Sequence, residues 1–162
     1  MITVQAPRRI LIVEDSDSKR DSIKIILARE YPWASTRDAL SVKSAIDALA
    51  AEVPDIIIAD MSLPTYDIED RERGGTPRPF GGIEVFEYLA RYEIAVPVVV
   101  VTSYEALTDG KQSMGLTELS RRLSEEFNAN FLGTVYFDSA YSSWEREIQA
   151  FLDVVLKDKH GA

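Results

Sequence analysis

Three acidic or hydroxyl-bearing positions sit directly after short apolar runs. Glu14-Asp15 follows Ile10-Leu11-Ile12-Val13, Asp60 follows Ile56-Ile57-Ile58-Ala59, and Thr102-Ser103 follows Val98-Val99-Val100-Val101. If the first two runs are adjacent strands, Glu14, Asp15 and Asp60 share one small pocket. Three carboxylates at that separation repel, and one takes up a proton unless a cation neutralises them. Hard oxygen donors favour Mg²⁺, which keeps several waters, binds through one or two carboxylates and accepts a substrate phosphate. The chemistry indicated is a magnesium-dependent phosphate site. The plainer reading makes each acid a helix N-cap or a solvated loop residue, but three strand ends carrying suitable side chains weigh against it.

Composition removes most competing chemistries. The chain has 162 residues, no cysteine and a single histidine, His160. Disulfide frameworks, thiol nucleophiles, zinc–thiolate sites and His-based triads are therefore excluded. Gly110-Lys111 lacks the upstream glycine of a P-loop, and no G-x-G-x-x-G occurs. Eighteen basic residues against 27 acidic ones give a net charge of −9, which argues against nucleic acid as a partner. The N-terminus lacks an apolar run of signal length, and the longest apolar stretch, Val96–Val101, is far short of the ~20 residues that a membrane span needs. A cytoplasmic protein with no membrane partner is expected.

The elements that must position these side chains alternate between buried-type strands and amphipathic helices. Strands are expected at Ile10–Val13, near Ala34–Arg37 as a weak edge, at Asp55–Ala59, Val96–Val101 and Thr134–Phe137. Asp17–Glu30 reads as a helix with Ile23, Ile26 and Leu27 on one face and Ser16 or Asp17 as its cap. Further helices are expected at Ser41–Ala51, Ile83–Tyr92 and Leu116–Phe127, with a final one through Trp144, Ile148, Leu152 and Val155. Strands alternating with helices of this length predict parallel βαβ units and right-handed crossovers. The predicted fold is α/β: a doubly wound sheet of parallel strands with helices on both faces. One domain over residues 1–162 is expected, with a charged loop insertion at 65–82 and a lengthened fourth connection at 104–133 that Gly110 and Gly115 break into two pieces.

The ordered set Arg9–Asp15, Asp55–Pro64, Gly81–Val85 and Val98–Ser103 resembles the receiver domains of two-component response regulators, and the resemblance covers nearly the whole chain; it implies a flavodoxin-like sheet of five parallel strands in the order 2-1-3-4-5. It implies that Asp60 is the phosphoacceptor, served by a histidine kinase or phosphotransfer protein. It implies that Glu14, Asp15, Asp60 and the backbone carbonyl of Ser62 hold Mg²⁺. Thr102 would be the switch hydroxyl that meets the acyl phosphate, Tyr136 the switch aromatic of the last strand, and Pro64 would shape the loop after Asp60. Such a domain is a signalling module and not an enzyme beyond its own phosphorylation and dephosphorylation.

The sequence departs from that family in three places. Receivers usually carry a lysine three residues after the switch aromatic, followed by a proline; Ser139 and Ala140 stand here. Lys111 and Arg121 are candidates to replace the missing ammonium in space. The loop at 65–82 is roughly a dozen residues longer than the family needs, and its Arg71, Arg73 and Arg78 could face phosphate or solvent. Only six residues follow Leu156, so a stand-alone receiver is expected, signalling through an unknown downstream protein or acting as a phosphate sink. A homodimer is left open. Two alternatives stand beside it: a phosphorylation-independent pseudo-receiver, and a haloacid-dehalogenase-like phosphatase, which would need a second Asp where Ser62 stands.

Overall fold

Apolar runs without polar alternation can be satisfied only if both faces of a strand are covered. The computed structural model, which describes residues 8–67 and 78–157, covers them in that way. Strand β1 (Arg9–Val13) leads to helix α1 (Asp17–Glu30), then β2 (Ser35–Ala39), α2 (Val42–Ala51), β3 (Ile56–Ala59), α3 (Gly81–Arg91) and β4 (Val98–Thr102). A hairpin follows, β5 (Ala106–Asp109) with β6 (Gln112–Gly115), and then α4 (Leu116–Glu126), β7 (Phe131–Tyr136) and α5 (Ser143–Leu156). The main sheet has the order β2-β1-β3-β4-β7, every neighbouring pair parallel, so the expected 2-1-3-4-5 arrangement is present with β7 as its fifth strand.

Side-chain alternation divides the core into two layers. Leu11, Val13, Ile57, Ala59, Val98 and Val100 pack with α2, α3 and α4 on one face. Ile10, Ile12, Ile56, Ile58, Val99 and Val101 pack with α1 and α5 on the other. Helix α1 begins where the Ser16 side chain accepts from the Lys19 N–H, and α2 begins with a capping box between Ser41 and Ser44.

The boundaries differ from the sequence expectations where a glycine or proline misleads. Strand β4 starts at Val98 and not Val96, because Pro97 has no N–H to give the ladder; its carbonyl instead accepts from Ile57 N at 3.0 Å. Strand β7 starts at Phe131 and runs through Gly133. The Phe151 ring of α5 sits so close over Gly133 that an added Cβ would lie 2.2 Å from it. The lengthened fourth connection is the β5–β6 hairpin followed by α4, its turn at Gly110 having φ +61°. Most of the expected 65–82 insertion lies outside the described residues. Its base is closed by an antiparallel bridge, Leu63 N to Arg78 O at 3.1 Å and Arg78 N to Leu63 O at 2.9 Å.

Candidate functional site

Parallel register brings the strand ends to one level. Val13 pairs with Ala59, and Ala59 with Val100, so the residues that follow them emerge together at the carboxyl edge of the sheet. Asp60 N donates to Val13 O at 3.0 Å and Glu14 N to Ala39 O at 3.0 Å, which fixes both backbones before their side chains diverge. Carboxylate oxygens of Glu14, Asp15 and Asp60 lie within 4.8 Å of one another. Glu14 and Asp60 are buried and Asp15 is half-buried, which leaves the cluster open on the Asp15 side.

Backbone N–H groups hold one oxygen each of Asp60 and Glu14, and Glu14 Oε1 is buried with no hydrogen-bond donor among the described residues. Asp60 Oδ1 accepts from Met61 N at 2.7 Å and Ser62 N at 3.3 Å. Glu14 Oε2 accepts from Ser16 N at 3.1 Å. Burial pushes the Glu14 carboxyl up to about 7, against the pull of the Lys19 ammonium and with the help of the Asp60 charge. Burial also raises the Asp15 carboxyl from its ordinary value. The cluster is an acidic pocket with more negative charge than its own cation offsets.

That cation was not anticipated. Lys19, on the first turn of α1, is buried and aims its ammonium into the cluster: 2.7 Å from Glu14 Oε1, 3.1 Å from Asp60 Oδ2 and 2.6 Å from the Val101 carbonyl. Its signal in the sequence was spacing. Lys19 stands four and seven residues before Ile23 and Ile26, on the apolar stripe of α1, one turn after Glu14-Asp15. The two residues considered as replacements for the family lysine lie elsewhere. Arg121 pairs with Glu125 on the exposed side of α4 at 3.0 Å, and Lys111 is exposed at the hairpin turn. Both are ruled out by position, since each projects from an outer surface. Ser139 is exposed as well. Arg78 pairs with Glu84 on the surface, whereas Arg71, Arg73 and His160 fall outside the described residues.

The remaining predicted positions stand at the same carboxyl edge of the sheet. Thr102 is buried at the end of β4, and its Oγ1 accepts from Tyr104 N at 3.2 Å, so the hydroxyl keeps its own hydrogen to donate. Tyr136 is half-buried opposite Thr102 in the β4–β7 register, less enclosed than a simple core aromatic. Ser62 is buried beside Asp60 and, with Pro79, Tyr104, Ala106, Leu107 and Thr108, lines a cleft of about 420 Å³. Gly81 and Gly82 press the start of α3 against this loop. A Cβ on Gly82 would lie 2.4 Å from the Asp60 carbonyl oxygen, and one on Gly81 2.5 Å from that of Leu63. Gly82 N also donates to Met61 O at 2.8 Å.

The family described as the response regulator receiver domain matches residues 10–128. The chain belongs to that family. Similar proteins include the uncharacterized protein y4jR of Sinorhizobium fredii, 27% identical over 143 residues, covering 87% of this chain and 94% of that protein. The Detocs response regulatory protein DtcB of Vibrio alginolyticus is 27% identical over 146 residues, covering 88% and 98%. The receiver shares its fold with the phosphorylated cyanobacterial phytochrome response regulator RcpA, at a TM-score of 0.64, 17% identity and coverage of 93% and 95%. The receiver domain of the Francisella response regulator 1452 gives a TM-score of 0.62, 17% identity and coverage of 95% and 99%. Receivers are two-component signalling modules, generally non-enzymatic, that typically bind Mg²⁺ in an acidic pocket and work with histidine kinases or phosphotransfer proteins. Among the described residues no helix is long and apolar enough to cross a membrane.

Proposed function

We propose that this receiver accepts a phosphoryl group on Asp60 from a histidine kinase or phosphotransfer protein, and passes the signal by protein contact or holds the phosphate as a sink. The reading rests on one observation, the gathering of Glu14, Asp15 and Asp60 within 4.8 Å at the edge where β1 and β3 end. The donor set fits Mg²⁺: all oxygens, one carboxylate half-exposed and, among the described residues, a single ammonium against three carboxylates. Asp15, Asp60 and the Ser62 carbonyl would hold the ion. Glu14, whose oxygens already serve Lys19 and Ser16 N–H, would act through its charge. A Mg²⁺ bound there supplies positive charge against the carboxylates and the phosphoryl oxygens.

In the transfer, the Asp60 carboxylate bonds to phosphorus as the donor's phosphorus–nitrogen bond breaks, and the electron pair leaves with the imidazole nitrogen. The N–H groups of Met61 and Ser62 hold Oδ1 and orient the carboxylate for the attack. Thr102 then donates its hydroxyl hydrogen to a phosphoryl oxygen, and Tyr136 beside it changes position as β4 shifts. The family membership favours neither the phosphorylation-independent module nor the phosphatase. The test is acetyl phosphate with Mg²⁺, intact mass and site mapping, wild type against Asp60→Asn. The expected result is one phosphoryl group on wild type and none on the variant, and equal labelling would overturn the assignment.

A further inference from the structure

We infer that Lys19, from the first turn of α1, supplies the ammonium that holds the phosphoryl group on Asp60, in place of a lysine after the last strand. The inference rests on Asp60 as phosphoacceptor. Its own basis is the placement of Lys19 Nζ, 3.1 Å from Asp60 Oδ2, the oxygen that the Met61 and Ser62 N–H groups leave to it. Among the described residues, it is the basic side chain that pairs with Asp60.

The ammonium donates to Val101 O at 2.6 Å and lies in ion-pair contact with Glu14 Oε1 at 2.7 Å and Asp60 Oδ2 at 3.1 Å. Two of these partners, the Val101 carbonyl and Glu14, do not change when Asp60 is phosphorylated, so the head stays anchored. The third does change. Once the carboxylate becomes an acyl phosphate, its negative charge moves onto the phosphoryl oxygens, and the ammonium beside Oδ2 meets charge-assisted acceptors there. Lys19 is buried on the first turn of α1, which limits the rotamer freedom lost at the moment of transfer. The Val101 anchor also lies one residue before Thr102, so the group that senses the phosphoryl oxygens is tied to the strand whose end carries the switch hydroxyl. In this chain the cation's response passes to α1 and β4, and the loop after β7, where Ser139 is exposed, is released from that duty.

Lys19 is therefore a residue that touches the transferred group, and the alternative is a cation that merely neutralises a buried acid pair. Two ligands separate these roles: Mg²⁺ alone, and beryllofluoride with saturating Mg²⁺ as a stand-in for the phosphoryl group. Lys19→Gln keeps a hydrogen-bond donor at the site, and Lys19→Met keeps the length of the stem. The expected result for both variants is Mg²⁺ binding as tight as wild type or tighter, since a competing cation is gone. Beryllofluoride binding and acetyl phosphate labelling should fall roughly 10- to 100-fold. In wild type, the Lys19 ammonium ¹⁵N resonance should shift on beryllofluoride addition, a readout that requires no variant to fold. Variants that label and bind beryllofluoride like wild type, loss of both ligands in equal measure, or an unmoved ammonium resonance would overturn the role of Lys19. Wild type that labels at no site, or at a residue other than Asp60, would overturn the phosphoacceptor reading and this one with it.

Discussion

Replacing Lys19 by Met should destabilise the receiver by an amount that depends steeply on pH. The Lys19 side chain is 4% exposed and its ammonium lies between the Glu14 and Asp60 side chains, which are 2% and 7% exposed, so water cannot take its place cheaply. Removing one partner of such a buried pair costs roughly 3–5 kcal/mol, because it leaves charge without compensation. Protonation limits that cost. Glu14 titrates at about 7 in the folded protein against 4.5 as its reference. A carboxyl raised in this way contributes stability that is fully present below its unfolded value and lost as pH rises through its folded value. Without Lys19 the attraction that lowers the Glu14 value disappears, so the folded value climbs further and the loss at alkaline pH deepens. At about pH 5.5 Glu14 is mostly protonated with or without Lys19, and the cost of Lys19→Met should shrink to roughly 1–2 kcal/mol, that of one unmatched hydrogen-bonded acid. At about pH 8 it should reach the full 3–5 kcal/mol. Urea denaturation in EDTA at the two pH values, followed by fluorescence of Trp144, which packs on Phe137 with ring centroids 4.7 Å apart, measures both numbers. A cost below about 1 kcal/mol at the higher pH, or equal costs at both, would refute the charge accounting.

Other substitutions probe the surrounding frame. Gly82→Ala drives a methyl group into the Asp60 carbonyl and the Met61 side chain, and should cost roughly 1–3 kcal/mol in urea melts while slowing acetyl phosphate labelling of Asp60. Asn130→Ala removes the amide that donates to Ile94 O at 2.7 Å and Val96 O at 2.9 Å; the stranded carbonyls should cost roughly 2–3 kcal/mol, with labelling of the folded fraction unchanged. Thr102→Val keeps the shape of a fully buried side chain, so its melt should stay within about 1.5 kcal/mol of wild type. The chemical-shift response of Tyr136 to beryllofluoride should be lost in that variant, and an intact response would remove Thr102 from the switch.

The β-branched runs at Ile10–Val13, Ile56–Ala59 and Val98–Val101 could be read directly as covered strands, because no polar residue interrupts them and each ends in a group that demands polar surroundings. Helix α1 was equally legible from Ser16 to Glu30, since its cap and apolar spacing are local properties. The gathering of Glu14, Asp15 and Asp60 followed once β1 and β3 were taken as neighbours, for parallel register leaves the ends of adjacent strands level. The start of β7 was hidden because Gly133 reads as a break, and the ring of Phe151, far along the chain, is what makes a glycine fit in that strand.

Lys19 marks the boundary between the two kinds of information. Its place on the apolar stripe of α1 is a sequence fact, yet a lysine there ordinarily bends its stem outward and leaves the charge in water. Packing of α1 against the sheet closes that route, and the level ends of β1, β3 and β4 offer two carboxylates and a carbonyl within reach. The residue types determined that an acidic pocket would form. Which cation enters it, and from which helix, depended on three separate chain segments meeting in space, a long-range arrangement that local spacing does not encode.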